Sequence, residues 1–404
     1  MSQYFWPESF RVNDLVQELR LRGMDLCVLT GQPNYPKGRF FEGYGAFKPL
    51  RETFAGADVV RVPLWPRGRG GAVNLILNYV TYIASSILLG LPRVGRRFDA
   101  VFVFAPSPIL QCLTAIAYKF IWGAPVILWV QDLWPESLKA VGMVRSEAIL
   151  KIVEAIVRFI YRHCDLILVQ SEAFYPNVAR LNPTGTPVEY LPNWAEEIYG
   201  AVEASSEPPV ALPRGFCVLF AGNIGKAQSI STILEAAEKL RGEKEIHWVF
   251  LGDGTERKSA EDRVLATGLV QQVHFLGSFP VRDMPAFFAR ADVLLVTLKR
   301  DEIFASVVPS KIQSYMASGR PIVASLDGEG ARVVEAAGAG KVGPAEDVEA
   351  LAANVLSMYE SSEQRRREMG QGARDYYQKH FLRRDLIDRI QRCLERFPQK
   401  KSGS

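Results

Sequence analysis

The sequence predicts an α/β protein built from two doubly wound parallel sheets, one in each half of the chain. In both halves, short apolar runs alternate with helix-length stretches, which is typical of parallel strands covered by helices on both faces. Between the halves, residues 200–215 are rich in Ala, Ser, Glu and Pro, as expected for a linker. A chain of 404 residues is long enough for two domains with their own cores.

The first half has two long predicted helices, Asn13–Arg22 and Ser146–Arg162. Its predicted strands are the apolar runs at 24–30, 59–64, 100–104, 125–130, 165–169 and 188–191. We expect this first domain to cover residues 1–199. A charged helix at about Leu382–Phe397 has no strand after it, so we expect residues 381–404 to return toward this domain and to end in a frayed tail.

The second half repeats the pattern, and its domain is expected to cover residues 216–380. Its predicted helices include Ser231–Arg241, Met284–Ala291 and Val348–Tyr359. Its predicted strands are 216–221, 247–251, 272–276, 292–297, 321–325 and 340–343. The carboxyl ends of the strands in each sheet should face a central crevice between the domains, because ligands bind at that edge of such sheets.

Composition and charge exclude several classes of protein. The chain is 48% hydrophobic and 23% charged, which excludes a disordered, collagen-like or disulfide-stapled chain. A net charge of +4 is too near balance for a protein that binds nucleic acid. The five scattered cysteines predict reduced thiols in the cytoplasm. The four histidines show no pair at helical or strand spacing, so no metal site is predicted.

An apolar stretch, Val73–Leu91, is about long enough to span a bilayer, but five polar residues interrupt it. Residues 61–119 contain seven basic residues and one acidic residue. An apolar helix with basic flanks favours peripheral contact with an anionic membrane surface through 61–119. A buried helix with a solvated basic rim and a true membrane span are the alternatives.

Two glycine-bearing strand ends in the second half are candidates for nucleotide binding. In FAGNIGKAQS, Gly222 and Gly225 let backbone N–H groups approach an anion at a helix start, and Lys226 adds a positive charge. In FLGDGTERK, Gly252 and Gly254 can pass beneath a base or a ribose. Tight turns between strand and helix are the structural alternative for both.

A lysine stands in the first turn of a short predicted helix. Pro309 and Ser310 precede Lys311 at the helix start, and Gly319 closes the helix. Because a helix start disfavours a cation, we infer that Lys311 serves a bound anion rather than the helix. Lys226 and Lys311 would then form a two-lysine clamp for a diphosphate. A solvated surface lysine is the alternative.

Four further candidates lie near helix starts in the first half. Asp132, Trp134 and Glu136 follow the strand PVILWV, and Glu8 opens the first helix. Asp132 can accept a proton from an attacking hydroxyl or bond sugar hydroxyls, and Trp134 can offer a face to a sugar ring. Glu8 and Glu136 are candidates for acceptor binding. The alternative is that these carboxylates stabilise helix starts.

Taken together, these segments resemble the family 4 glycosyltransferases of the GT-B fold. The resemblance is carried by YFWPESFRVND, WVQDLWPES, LVQSEAF and LPNW in the first half, and by GNIGKAQS, LGDG, HFLGSFPVRDMPAFFARADVLLV and PSKIQSYMASGRPIVAS in the second. It extends from Gln3 to about Arg396. The subgroup that it resembles builds bacterial O-antigen and capsule and includes L-fucosamine transferase-like enzymes.

The resemblance implies a nucleotide-diphosphate-sugar donor, UDP-linked, bound by the second domain, and transfer with retention and without a metal or other cofactor. From the residues themselves, we assign donor binding to Gly222, Asn223, Gly225, Gly252, Gly254, Ser310 and Ser314, and catalysis to Asp132, Lys226 and Lys311.

This chain departs from the family pattern at several of these positions. Two glutamates that many members carry fall on Ser306 and Ser314, so their sugar and ribose contacts do not transfer. An arginine and a lysine fall on Asn223 and Gln228, and a histidine that faces the donor sugar falls on Gln131.

The working hypothesis is a retaining hexosyltransferase that moves an N-acetylated or 6-deoxy hexose to a lipid-linked acceptor at the inner face of the cytoplasmic membrane. A UDP-sugar epimerase of the same fold and a non-catalytic nucleotide-sugar-binding subunit are the alternatives.

The family's first strand precedes the turn that here reads SQYFWPE, and only Met1, Ser2 and Gln3 stand before Tyr4. Such a central strand needs about five residues. We therefore expect a version extended upstream by a few apolar residues to be more stable and more active. A stunted strand at Ser2–Trp6 is the alternative.

Overall fold

Two parallel-sheet units make up the computed structural model, which describes residues 1–68, 71–140, 144, 146–200 and 207–397. The first unit consists of Met1–Leu191 together with the chain from Arg384 on. The second unit consists of Pro192–Arg383. Each predicted apolar run lies on a strand of one of these units.

The first unit carries two ladders of strands. One has the order β1-β3-β2 and the other the order β4-β5-β6-β7, and every pairing is parallel except that of β2 with β3. The antiparallel edge strand β2 was not predicted. The strands are β1 (Cys27–Gly31), β2 (Arg51–Phe54), β3 (Ala57–Val62), β4 (Val101–Ala105), β5 (Val126–Val130), β6 (Leu166–Val169) and β7 (Val188–Tyr190).

The amino terminus lies between β1 and β4. The N–H of Ser2 donates to the carbonyl of Leu29 at 3.2 Å, and the N–H of Phe104 donates to the carbonyl of Met1 at 3.1 Å. The Met1 ammonium donates to the carbonyl of Phe102 at 2.6 Å, and burial lowers its pKa to about 6. Beyond Met1, a cavity of about 370 Å³ continues between Cys27 and Val101. The first residues of the chain thus fill only part of the space between β1 and β4.

Helices cover both faces of the first unit. They are α1 (Arg11–Leu21), α2 (Ala72–Ser85), α3 (Leu91–Val94), α4 (Cys112–Trp122), α5 (Glu136–Ala140), α6 (Glu147–His163), α7 (Tyr175–Leu181) and the C-terminal helix α16 (Arg383–Glu395). Crossovers between parallel strands are right-handed, so α2, α4 and α6, which all connect strands in one direction, lie on the same face. On α16, Asp388 pairs with Arg22, the residue that follows α1.

The predicted apolar stretch Val73–Leu91 is helical but is interrupted by one π-turn, Ser86–Gly90, between α2 and α3. Gly90 packs against the sheet there: a Cβ at this position would lie 2.8 Å from Leu29 Cδ1 and 3.0 Å from Val62 Cγ1. In the part of the chain that the structure describes, Ala72–Val94 is the one helix long and apolar enough to cross a bilayer.

The second unit is a six-stranded parallel sheet with the order β10-β9-β8-β11-β12-β13. Its strands are β8 (Phe216–Ala221), β9 (Ile246–Leu251), β10 (Val273–Gly277), β11 (Val293–Thr297), β12 (Ile322–Ser325) and β13 (Gly340–Gly343). Its helices are α8 (Ile230–Lys239), α9 (Arg257–Thr267), α10 (Met284–Arg290), α11 (Glu302–Ser306), α12 (Ser310–Ser318), α13 (Glu329–Ala336), α14 (Val348–Glu360) and α15 (Glu363–His380). Alternate residues of β8 enter two different apolar cores, so both faces of the sheet are covered.

The boundary between the units differs from the predicted one. The first domain was expected to reach residue 199, but Ala195 and Tyr199 belong to a core of the second unit, where Tyr199 stacks on Phe288 with ring centroids 5.4 Å apart. The apolar side chains just after β7 therefore move this segment into the second unit. Of the predicted linker, residues 201–206 lie outside the described residues.

Candidate active site

Two glycine loops of the second unit meet at the carboxyl ends of β8 and β9. Gly222 and Gly252 have φ angles of +133° and +141°, in a region that favours glycine. A Cβ on Gly252 would lie 1.9 Å from the carbonyl oxygen of Gly222. Only glycine fits there, so the two loops approach backbone to backbone.

The next residues of both loops are also held together. The N–H of Ile224 donates to the carbonyl of Asp253 at 2.9 Å. A Cβ on Gly254 would lie 2.7 Å from Asn223 Oδ1, and one on Gly225 would lie 2.5 Å from Asn223 Nδ2. Five of the predicted donor-binding residues, Gly222, Asn223, Gly225, Gly252 and Gly254, therefore lie together in one glycine patch.

Lys311 reaches this patch from the first turn of α12. A Cβ on Gly222 would lie 2.7 Å from Lys311 Cε and 3.2 Å from its Nζ. The Nζ atom is buried, has no hydrogen-bond partner in the described part of the chain, and lies 3.5 Å from the centroid of the Phe220 ring. Burial lowers the pKa of the Lys311 ammonium to about 7. The Lys311 amine is therefore buried without a counter-anion among the residues that the structure describes.

The tyrosine one turn further along α12 fixes the helix to β8. The N–H of Ala221 donates to the Tyr315 hydroxyl at 3.1 Å. Tyr315 and Phe220 were not predicted as site residues. Tyr315 could have been found from its spacing, because it lies four residues after Lys311 and therefore on the same helix face. Phe220, directly before the loop, carries no comparable signal.

The other lysine of the predicted clamp lies differently. Lys226 begins the one-turn 3₁₀ helix Lys226–Gln228, and its side chain is exposed. Lys226 directly follows Gly225, so its backbone borders the glycine patch, while no described contact joins its side chain to Lys311. Ser310 and Ser314 lie on α12 with Lys311, where the Ser314 hydroxyl donates to the carbonyl of Ser310 at 3.3 Å.

In the first unit, Asp132 follows β5, and its carboxylate is mostly buried. The Ser137 hydroxyl donates to Asp132 Oδ2 at 3.0 Å. Burial raises the pKa of Asp132 to about 6, and the hydrogen bonds from Ser137 and Trp134 reduce this rise. A carboxyl group with such a pKa can exchange a proton near neutral pH.

The prediction that Trp134 offers a face to a sugar ring is wrong. Its side chain is only 3% exposed, its ring packs against Tyr79, and Nε1 donates to the Ser107 hydroxyl at 3.3 Å. The cause is the buried position of Trp134 between the loop after β4 and helix α2.

Both predicted acceptor-binding glutamates are engaged within the protein. Glu8 is 2% exposed and accepts N–H bonds from Phe5 at 3.1 Å and from Asn34 and Tyr35 at 2.7 Å each. Burial raises the pKa of Glu8 to about 7 despite these bonds. Glu8 therefore positions the loop at Asn34. Glu136 opens α5 and pairs with Arg180 at 2.5 Å.

Two of the histidines, which show no pairing in their sequence spacing, are nonetheless neighbours in space. His247 and His274 stand on the neighbouring strands β9 and β10, with His247 Nδ1 and His274 Nε2 at 3.2 Å. The two histidines are 27 residues apart in the sequence and meet only because β9 and β10 pair in the sheet, so their sequence spacing gives no sign of the contact. In the described ranges, no three His, Cys, Asp or Glu side chains come together as metal ligands would.

Two family models match the chain, one for each unit. The model of the glycosyl transferase 4-like domain matches residues 9–194, and that of the glycosyl transferases group 1 matches residues 205–376. The chain belongs to the glycosyltransferases. The glycine patch and Lys311 lie within the group 1 match, and Asp132 lies within the other.

Two bacterial relatives are also named as glycosyltransferases. This glycosyltransferase is 28% identical over 266 residues to one named WbjE from Pseudomonas aeruginosa, a match that spans 64% of this chain and 65% of that protein, just under two thirds. It is 25% identical to a colanic acid biosynthesis glycosyl transferase named WcaI from Escherichia coli (strain K12), over 76% of each protein.

Solved structures show the fold. Anabaena HepE, in complex with UDP, superposes on 98% of this glycosyltransferase with a TM-score of 0.69 at 16% identity, and 98% of HepE is covered. The predicted GT-B class, two Rossmann-like parallel-sheet domains, is confirmed. The L-fucosamine-transferase-like subgroup stays a prediction.

Proposed function

We propose that this glycosyltransferase moves a hexose, N-acetylated or 6-deoxy, from a UDP-linked donor to a lipid-linked glycan acceptor in cell-surface polysaccharide biosynthesis, with retention at the anomeric carbon. The observation that carries this proposal is the buried Nζ of Lys311, which has no hydrogen-bond partner in the described residues and lies beside the glycine patch.

Burying an ammonium group without a counter-anion lowers the stability of the folded protein, so a lysine at this place indicates a function that offsets the loss. The N–H groups of Gly222 and Gly252 donate to the carbonyls of Leu251 and Gly277 at 2.8 Å each, so Lys311 is the group beside these loops that is left to meet an anion. A diphosphate there would pair with Lys311 and raise the pKa of the ammonium from about 7. The loops and Lys311 together therefore suit the diphosphate of a nucleotide sugar.

In the reaction, the bond between the anomeric carbon and the diphosphate oxygen breaks, and its electron pair leaves with the diphosphate. Lys311 stabilises the negative charge that develops on that oxygen. The acceptor hydroxyl forms the new bond to the anomeric carbon on the same face, and its proton passes to an oxygen of the departing diphosphate. Because Lys311 supplies the positive charge, the proposal includes no metal or other cofactor.

The choice of UDP is supported by HepE, which shares the fold and was solved with UDP. The choice of a cell-surface glycan is supported by the relative named for colanic acid biosynthesis. The exposed apolar side chains of α2 and the exposed Arg93, Arg96 and Arg97 support a lipid-linked acceptor, because they suit an enzyme that works at the inner face of the cytoplasmic membrane. Arg61 and Lys119, at the ends of segment 61–119, are instead paired within the protein with Glu52 and Asp165.

The test is transfer of radiolabel from a panel of UDP- and GDP-sugars to a lipid extract of bacterial cytoplasmic membranes. We expect label in the lipid fraction from a UDP-sugar, and a large loss with Lys311→Ala. Lys244→Ala, at an exposed lysine beyond α8, is the control with full transfer. A changed soluble sugar without labelled lipid would indicate an epimerase and overturn the proposal.

A further inference from the structure

Exposed apolar side chains are concentrated on one layer of helices in the first unit. In the described part of the chain, 21 large apolar side chains are exposed, and 11 of them lie on three helical segments of this unit, against four in the whole second unit. We call these eleven the three-helix surface: Val73, Ile76, Leu77, Val80, Leu88 and Leu89 on α2 and the π-turn, Phe120 and Ile121 on α4, and Ile149, Ile152 and Phe159 on α6.

The three segments are neighbours. The hydroxyls of Ser86, on the π-turn, and Thr114, on α4, lie 2.5 Å apart. At the other side of α4, the rings of Phe120 and His163 have centroids 5.4 Å apart, and His163 in turn contacts Phe159 at 4.2 Å. The exposed side chains therefore belong to one continuous layer rather than to three separate sites.

Helix α6 shows that this exposure is not a by-product of core packing. Its inner face is already buried through Leu150, Val157 and Ile160. Ile149, Ile152 and Phe159 are 49%, 60% and 43% exposed on another side of the same helix. A surface helix ordinarily places polar residues there, so this second apolar stripe needs a partner outside the unit.

The charges around the three-helix surface indicate what the partner is. Residues 62–98 contain five arginines and no acidic residue, and α6 carries Lys151, Arg158 and Arg162 against Glu147 and Glu154. An apolar face with a basic border matches an anionic bilayer, where acyl chains receive the apolar side chains and headgroups pair with the arginines.

We propose that the protein lies on an anionic lipid bilayer through this whole three-helix surface, so that membrane contact extends beyond segment 61–119 onto α6. The proposal rests on the membrane partner named under the proposed function. It adds the residues on α6, which the apolar stretch in the sequence did not include.

The test is flotation of the purified protein with vesicles of phosphatidylcholine and of an equimolar mixture of phosphatidylcholine and phosphatidylglycerol. We expect Ile152→Glu and Phe159→Glu each to lower partitioning onto the mixed vesicles roughly tenfold. Leu21→Glu is the matched control, because Leu21 is 76% exposed on α1, at the other face of the sheet. Salt should weaken binding of the unchanged protein.

Val80→Glu separates the outcomes. If it abolishes binding while Ile152→Glu and Phe159→Glu bind normally, the contact ends at segment 61–119 and the three-helix proposal is overturned, although the membrane partner stands. A protein that binds no vesicle but dissociates from dimer to monomer with Ile152→Glu, measured by sedimentation, would assign the surface to a second copy. Slow hydrolysis of the UDP-sugar without acceptor, together with an unchanged Tm, shows that each variant is folded and that the donor site is intact.

Discussion

The Nζ atom of Lys311 lies 3.5 Å from the centroid of the Phe220 ring. The face of an aromatic ring carries partial negative charge, so Phe220 holds the ammonium in place when no anion is bound. A ring is a weaker partner than a phosphate oxygen, and the contact therefore keeps Lys311 beside Gly222 without competing with a diphosphate.

Replacement of Lys311 should damage transfer more than replacement of Lys226. We expect Lys311→Ala to lower kcat roughly 100-fold or more, as for loss of a group that stabilises developing negative charge. Lys226 is exposed, so Lys226→Ala should cost less. Initial rates with saturating donor measure both. Equal losses would restore the two-lysine clamp, and near-normal turnover of the double variant would remove both lysines from the mechanism.

The pH profile of kcat/KM should show a basic limb that belongs to Lys311. Its pKa of about 7 means that the free enzyme loses the ammonium as pH rises above this value. Bound diphosphate raises the pKa, so the corresponding limb in kcat should lie at higher pH. Lys311→Arg should remove the limb while keeping a charge. The idea fails if the limb is unchanged in that variant.

The same lysine should lower the stability of the ligand-free protein. The folded state releases the Lys311 proton near pH 7, whereas the unfolded chain keeps it up to about 10.5. Between these values the unfolded state binds more protons, so the free energy of unfolding rises with pH. Lys311→Met should therefore raise Tm at pH 7, with a gain that shrinks toward pH 10, and should weaken UDP binding. Thermal melts with and without UDP measure both effects; a lower Tm would refute the argument.

Gly252 should not tolerate a side chain. Its φ of +141° and the 1.9 Å approach to Gly222 predict that Gly252→Ala costs roughly 2 kcal/mol or more in the free energy of unfolding and disrupts UDP binding. Gly242→Ala is the matched control, because nothing lies within 4 Å of a Cβ there. Urea denaturation and calorimetric titration with UDP compare the two. Equal stability of both variants would contradict the geometry.

Filling the cavity beside Met1 should stabilise the first unit. Three apolar residues added before Met1 would continue between β1 and β4 and would carry the amino group out of its buried position. We expect Tm to rise by roughly 3 °C or more. A Gly-Ser-Gly extension of equal length is the control, since it adds no apolar surface. A drop in Tm with both extensions would mean that the interval does not accept a strand.

The strands were predictable because a short apolar run between two turn sequences rarely forms anything but a strand. The Lys311 site was predictable because a lysine in the first turn of a helix is unfavourable and therefore indicates another role. The surroundings of Trp134 and Glu8 were not predictable, because burial by loops such as that at Asn34 depends on contacts between distant residues. The pairing of His247 with His274 depends on strand order in the same way. The edge strand β2 was missed because the half-exposed run RETF carries too little apolar pattern.

The π-turn at Ser86–Gly90 affects how the three-helix surface can differ between related chains. A π-turn holds one residue more than an α-helical turn, and each residue rotates a helix by about 100°. Deleting one residue there would swing Leu91 and Val94 away from the sheet and bring arginine side chains toward it. A single insertion or deletion at this turn is therefore enough to redirect the arginines that follow it, while the strands on either side keep their register.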